Sequence, residues 1–414
     1  MILTIIILIF STILIIHGLF SLVMMLYAWA RPERLDVERS PTDLPPKTTF
    51  TIIIPARHEA RVIAQTIHGI WQTTYPKDLI EIAIVCEAND HATIDAANSA
   101  IAEIDTPQVR LITFDDGPIN KPHGLNIALA QTRHEIVTIF DAEDDVHPDL
   151  FQLINSTLQH NEATIIQSGV QLMDFQSSWY APHNVVEYYF WFKSQLHYNS
   201  AIGAVPLGGN TVFIKRALLE QIGGWDEQCL TEDADIGVRL SALGQTIETI
   251  YDPIYATREE TPATVMAFIK QRTRWSQGFL QILNKGAWRR LAAWKQRWLM
   301  GYTLSAPFLQ AILVALLGPT IFIMFAFDVP IWIAMISLIP AYILGFQFVI
   351  RLVGLFEFAT DYGLSIRLWD VIRFTVGFLP YQVLLAIGAV RAIYRHITGL
   401  NVWEKTEHYG AHRR

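Results

Sequence analysis

Between residues 139 and 149 the chain reads IFDAEDDVHPD, with five acidic side chains (Asp141, Glu143, Asp144, Asp145 and Asp149) directly behind an apolar run. Carboxylates this close repel one another unless water or a cation lies between them. Two chemistries fit. One is a solvated acidic turn. The other is a site for Mg2+ or Mn2+, which takes one or two protein carboxylates and completes its shell with phosphate oxygens. Asp141 with Glu143 or Asp144 would supply those oxygens. A second acidic cluster, CLTEDADIGVRL at 229–240, groups Glu232, Asp233 and Asp235 ahead of an expected helix. An Asp in that place either caps the backbone or acts as a general base. In QRTRW at 271–275, Gln271, Arg274 and Trp275 share one helical face, because positions three and four apart are neighbours. A planar guanidinium beside an indole suits a diphosphate next to a sugar ring, and equally suits an anchor at a membrane surface. In PLGGNTVFIKR at 206–216, Gly208, Gly209 and Asn210 either admit a ligand close to the backbone or form a plain turn before a strand.

These residues need a scaffold, and the order of elements supplies one. TFTIIIPARHEA is a β-branched run ending at Pro55, as a buried parallel strand reads. Val62, Ile63, Ile67, Ile70 and Trp71 then recur at helical spacing. IEIAIVCEAND reads as a strand, HATIDAANSAIAEI as a helix, VRLITF as a strand, KPHGLNIALAQT as a helix and EIVTIF as a strand. This alternation predicts an α/β fold with a doubly wound, mostly parallel sheet. Ligands bind such sheets at the carboxyl ends of the strands, where Pro55–Glu59, Glu87–Asp90 and Asp141–Asp144 all fall. An aromatic stretch at 177–200 fits either an interface helix on an acceptor path or a helix packed against the membrane bundle.

Residues 2–30 contain no Asp, Glu, Lys or Arg and exceed the roughly 20 residues that cross a hydrocarbon core. The run is long for a cleaved leader and has no basic start, so it predicts a membrane helix. Arg31 and Arg34 put the downstream side in the cytoplasm. A Pro-rich linker at 31–48 leads to a catalytic domain at 49–262. Interface helices rich in Trp, Arg and Lys are expected at 263–300, and about three membrane helices at 301–396, near 302–326, 331–353 and 371–394. A tail at 397–414 follows. Four spans would leave the C-terminus outside, whereas Arg391, Arg395, Lys405, Arg413 and Arg414 favour the inside. Either 371–394, interrupted by Gly377 and Pro380, does not span, or the charge rule fails here.

The chain of 414 residues is 51% hydrophobic, with a mean hydropathy of +0.28, high for a soluble enzyme. Its net charge of −8 gives no case for nucleic-acid binding. Cys86 and Cys229 have no zinc or redox spacing and read as reduced, buried thiols.

Taken in order, these motifs resemble the membrane-embedded family 2 glycosyltransferases, a group that includes the cellulose, chitin and hyaluronan synthases. The resemblance covers roughly 50–280 and implies a GT-A-like sheet flanked by transmembrane and amphipathic interface helices. IIIPARHEA is similar to the family's first-strand motif, with His58 where Asn is usual. It implies that Pro55 and Glu59 hold the nucleoside. IVCEAND implies base binding by Glu87, assisted by Asp90. KPHGLNIAL implies that Lys121 touches the diphosphate and Asn126 fixes the loop. DAED stands where D-A-D is usual, as in a bacterial branch. It implies Asp141 as a metal–diphosphate ligand, with Glu143 and Asp144 as further metal candidates. The intact TED implies Asp233, beside Glu232, as catalytic base. The intact Q-x-x-R-W implies Gln271 and Arg274 at the leaving diphosphate and Trp275 on the acceptor floor, near Gly208, Gly209 and Asn210. NVWEKTEH at 401–408 resembles a terminal segment of some bacterial members.

The resemblance thus implies an inverting, metal-dependent transferase in the bacterial inner membrane, its catalytic domain cytoplasmic. It would move a sugar from a nucleotide-sugar, preferably a UDP-sugar, to a growing polysaccharide. Membrane lipids and accessory export or regulatory proteins are the implied partners. The alternatives are a single addition to a membrane lipid carrier and a catalytically silent membrane scaffold of the same fold.

Overall fold

The β-branched runs become the centre of one sheet. In the computed structural model, the described residues are 2–32, 44–161, 163–326, 330–401, 403, 404 and 410. Most of the expected linker (33–43), part of the FDVPI turn (327–329) and much of NVWEKTEH (402 and 405–408) lie outside them. The chain opens with α1 (Ile2–Ala30). The alternating half follows: β1 (Phe50–Ala56), α2 (Ile63–Trp71), β2 (Ile80–Glu87), α3 (His91–Ile104), β3 (Val109–Phe114), α4 (Lys121–Gln131) and β4 (Ile136–Ile139). Next come α5 (Leu150–Asn161), β5 (Ile165–Gln167), β6 (Val170–Leu172), α6 (Ala181–Phe190), α7 (Leu196–Ile202), β7 (Val212–Lys215), α8 (Arg216–Gln221), α9 (Glu232–Ala242), β8 (Ile247–Thr249) and β9 (Thr257–Glu259). The chain ends in four long helices, α10 (Val265–Lys285), α11 (Trp294–Ala326), α12 (Ile331–Asp361) and α13 (Leu368–Ile397).

Seven strands pair in the order β3-β2-β1-β4-β7-β5-β8. β1 runs parallel to β2 and β4, β2 to β3, and β5 to β8, while β7 runs antiparallel to its two neighbours. The mostly parallel sheet predicted from sequence is therefore present. Because side chains alternate along a strand, β1 sends Phe50, Ile52 and Ile54 to one face and Ile53 to the other. The first set packs with Ile63, Ile67 and Phe151, the second with Leu125 and Ala128. Cys86 and Cys229 are buried free thiols.

The helix starts at the strand ends carry the site. Asn120 Oδ1 accepts from His123 N (3.0 Å), which starts α4 at Lys121. Thr264 Oγ1 accepts from Ala267 N (3.1 Å) at the start of α10. α9 starts differently. Its N-cap is Thr231, and no side chain caps it, so the capping role open to the TED acids is not used. Gly237 lets α9 lie against the backbone of 205–207: a Cβ there would meet Val205 O at 2.4 Å.

α1, α11, α12 and α13 are each long and apolar enough to cross a membrane. α11 starts at Trp294 rather than near 302, so 294–300, expected in the interface helices, forms its first turns. WKQRWLM is too polar to register as a span, yet nothing in it stops a helix. α13 continues through Gly377 and Pro380. The aromatic stretch at 177–200 forms α6, a π-helical turn (Trp191–Gln195) and α7, and α6 packs against α12 and α13.

Candidate functional site

A cavity of about 470 Å³ lies at the carboxyl edge of the sheet and extends between the long helices. β1 ends in Pro55, Arg57 and Glu59, and β2 in Glu87; all four line it. Glu87 faces Arg57 Nε at 3.5 Å. Asp90 does not line the cavity. Its carboxylate accepts from His58 N (2.5 Å) and from Thr93 N (3.4 Å), which fixes the turn after β1 and starts α3. Residue 58 has a φ of 56°, and Asp90 holds that left-handed turn.

Lys121, the first residue of α4, sits among the acids. Its Nζ is 2.6 Å from Asp141 Oδ1, 3.2 Å from Gly209 O and 3.8 Å from Glu232 Oε1. Burial works against the ammonium, but Asp141, Glu232 and Asp233 outweigh it and raise its pKa, so it stays charged. Asn126, by contrast, faces a loop: its side chain donates to Trp225 O (2.9 Å) and Glu227 Oε1 (3.0 Å) and accepts from Trp225 N (2.8 Å).

The DAED acids separate. Asp141 and Glu143 line the cavity. Asp144 does not: its Oδ2 accepts from Asp141 N (2.8 Å) and Asn210 Nδ2 (2.7 Å). Burial, then Glu259, Asp141 and Glu143, raise the Asp144 pKa well above the carboxylate range. Asp144 is thus bonded to Asn210, 66 residues away, and does not line the cavity that Asp141 and Glu143 share. Among the described residues no three His, Cys, Asp or Glu side chains form a metal cage. Asp141 and Glu143 still offer hard oxygens at the cavity wall, a donor set that suits Mg2+ or Mn2+ sharing its shell with phosphate oxygens.

Glu232 and Asp233, in the first turn of α9, line the cavity beside Gly208, Gly209 and Asn210. Burial raises both pKa values, that of Glu232 to about 7, while Lys121 and Arg274 pull both down. α10 brings Gln271, Arg274 and Trp275 to the same cavity. Gln271 Oε1, Arg274 Nε and Thr231 Oγ1 are buried without a hydrogen-bond partner among the described residues. Buried polar atoms left unmatched are costly, so a ligand is expected to match them.

The sequence motifs assigned no site role to several groups at this cavity, Trp403 of NVWEKTEH among them. Arg274 stacks on Trp403 at 4.4 Å, and Trp403 lines the cavity from the C-terminal segment. Arg272 binds Glu187 Oε1 (2.6 Å) and Asn184, and lies over the Trp275 ring at 4.5 Å, fixing the indole. Gln310, Gln347, Arg351 and Gln382 line the cavity from the long helices. Their signal was in the sequence: isolated polar residues within apolar spans mark function.

The model of the family described as "Glycosyltransferase like family 2" matches residues 45–278, over half of the chain. The β-monoglucosyldiacylglycerol synthase of Trichormus variabilis is 28% identical over 234 residues, 56% of this chain and 49% of that protein. The poly-β-1,6-N-acetyl-D-glucosamine synthase of Staphylococcus epidermidis is 23% identical over 243 residues, 58% of this chain and 56% of that protein. The chain thus spans about half the length of the curated relatives it matches. Among solved structures, the mannosyltransferase PcManGT of Pyrobaculum calidifontis, in complex with GDP-Man and Mn2+, superposes with a TM-score of 0.60 at 19% identity. The match covers 94% of this chain and 99% of that one, and shows a shared fold.

Proposed function

The chain belongs to glycosyltransferase like family 2, and on that premise we propose that it transfers a sugar, with inversion, from a UDP-sugar to a hydroxyl of a membrane lipid. One observation carries this reading: Asp141, Asp233 and Arg274 share a cavity that continues between four helices apolar enough to cross a membrane. The sequence put a growing polysaccharide first. The extension of the cavity toward the membrane side, and a relative named as a synthase of a glycosylated diacylglycerol, support the lipid instead.

In the proposed reaction, Glu59 and Glu87 hold the nucleoside at the ends of β1 and β2. Lys121 and Arg274 meet the diphosphate, and Gln271 lies one turn from Arg274. Asp233 accepts the proton of the acceptor hydroxyl as that oxygen attacks the anomeric carbon from the face opposite the leaving group. A raised pKa suits a base working near neutral pH. Lys121 and Arg274 neutralise the charge that grows on the departing diphosphate. Mg2+ or Mn2+, held by Asp141 and Glu143, supplies further neutralisation of that charge when bound. Trp275, braced by Arg272, offers a flat face to the acceptor or its first sugar. On this reading the catalytic domain faces the cytoplasm, where nucleotide-sugars are made, as Arg31 and Arg34 after the first helix favour.

A second reading, extension of a polysaccharide, is favoured by Trp275 in an intact Q-x-x-R-W and by the polysaccharide synthase among the relatives. Product length separates the two: one sugar on a lipid, or a ladder. The test of the activity is a donor screen on the purified chain in lipid with Mn2+, reading UDP release, with Asp233→Asn as control. Release from one UDP-sugar, abolished in the variant, is expected. No release from any common donor would favour a catalytically silent scaffold.

A further inference from the structure

The membrane-side end of the cavity is lined by neutral polar groups that largely satisfy one another. Gln310 Nε2 donates to Gln382 Oε1 (2.7 Å), and Gln310 Oε1 lies 3.1 Å from His17 Nε2. Gln347 Nε2 donates to the carbonyl of Gly18 (3.2 Å). Two groups that line the cavity from α11 and α12 are not satisfied. Thr303 Oγ1 is buried with no hydrogen-bond partner. Arg351, on α12, lines the cavity and makes no hydrogen bond or ion pair with any described residue.

Arg351 differs from two other cations that line the cavity, and shares with Arg274 the lack of a hydrogen bond or ion pair among the described residues. Arg272 is held by Glu187, and Lys121 by Asp141. Nearer the end of α12, Glu357 and Asp361 are both paired with Lys193, at 2.9 and 2.8 Å. At a helical rise of 1.5 Å per residue, Arg351 lies about 9 Å before Glu357 and about 15 Å before Asp361 along the helix. It is therefore inside a span, roughly three turns from the catalytic-domain end. A cation within a span is expensive and is normally matched by an anion or a function. Its planar fork fits a phosphate with two parallel hydrogen bonds.

We propose that the membrane-side end of this cavity binds the phosphate of an anionic lipid head group, with Arg351 as its counter-ion. The glutamines and Thr303 would meet the neutral hydroxyls of the same head group. This deepens the lipid-acceptor reading and rests on it for the role of the bound lipid: the acceptor would carry a phosphate as well as the hydroxyl that Asp233 deprotonates.

The test uses the full chain in detergent micelles, with bound lipids counted by native mass spectrometry. Wild type is expected to retain phosphatidylglycerol at least tenfold more than phosphate-free diacylglycerol. Arg351→Gln should lose that preference and Arg351→Lys should recover part of it. Unchanged phosphatidylglycerol retention in Arg351→Gln would overturn the proposal. Equal loss of both lipids in that variant would also overturn it, by giving Arg351 a packing role. Displacement of the lipid by millimolar glycerol phosphate would assign the site to a soluble anion and overturn the lipid source. If Arg351→Gln does not fold, wild-type selectivity decides alone, and equal retention of the two lipids sinks the idea. The readout needs no sugar transfer, so a negative donor screen and a negative lipid result remain distinguishable.

Discussion

The two faces of α9 carry carboxylates with opposite surroundings. Toward the cavity, Glu232 has Lys121 at 3.8 Å, and burial raises the pKa of both Glu232 and Asp233. Two residues on, Asp235 is 2% exposed and meets Arg239 Nε at 2.7 Å and Lys285 Nζ at 3.1 Å. Lys285 continues to Asp226 at 2.6 Å, while Arg239 ties the carbonyls of Ile222 and Gly224. The same motif thus supplies an acid matched within the fold and acids matched only in part. A fully matched buried ion pair holds structure, and removing one partner is destabilising. A partly matched acid in a cavity keeps the reactivity that a fold would otherwise consume.

The contrast is tested most severely at Asp233. Asp233→Asn is expected to lower kcat by about 10²–10⁴, the range of general-base catalysis, with an unchanged melting temperature. Arg274→Ala should follow at roughly 10²–10³ in kcat, as for loss of a charge-stabilising donor. Asp235→Asn should reverse the pattern. It should cost roughly 1.5–3 kcal/mol in a denaturant titration, as for hydrogen bonds to charged groups, with kcat per folded molecule within a few fold. A large kcat loss without destabilisation at Asp235 would erase the distinction between the faces. The smallest effect is on pH. Burial raises both Glu232, to about 7, and Asp233 beside it, so activity should fall as the pH drops from 8 to 6 and the pair takes up a proton. Stability has the opposite sign. An acid whose folded pKa is raised favours the fold most below its ordinary range and loses that contribution as pH rises through about 7. The ligand-free protein should therefore melt slightly higher at pH 5.5 than at pH 8, as far as this pair decides.

The first half of the sheet was legible because β1 to β4 are apolar, β-branched runs between amphipathic helices. β5, β6, β8 and β9 were not: each is three residues long and buries polar side chains such as Gln167, Gln171 and Thr257. Their pattern is set by neighbours rather than by hydropathy. The same limit applies at the site. Glu143 and Asp144 are adjacent and chemically alike, and only the fold separates them: Glu143 lines the cavity while Asp144 is bonded to Asn210. Asp90 looked like a ligand group, but its hydrogen bonds hold a turn, while Asn126 bonds the 225–227 loop, in keeping with the loop-fixing role the motif implied. Gln271, Arg274 and Trp275 line the cavity together, a grouping legible in the sequence because helical spacing is local information. The gathering of Gln310, Arg351 and Gln382 from three helices is not local, although each stood out in its apolar span.

Trp29 Nε1 donates to Glu357 Oε2 across 328 residues, and Ser194 accepts from Ala28 N while donating to the carbonyls of Met24 and Met25. These bonds give the molecule a schedule. At a synthesis rate of about 5–20 residues per second, the first helix precedes its latest partner by tens of seconds. During that interval the sheet can form, but its floor cannot. A nascent chain that has not yet reached α12 would carry the nucleotide end of the site and no acceptor end, so competence for the whole reaction waits for α12 to be made.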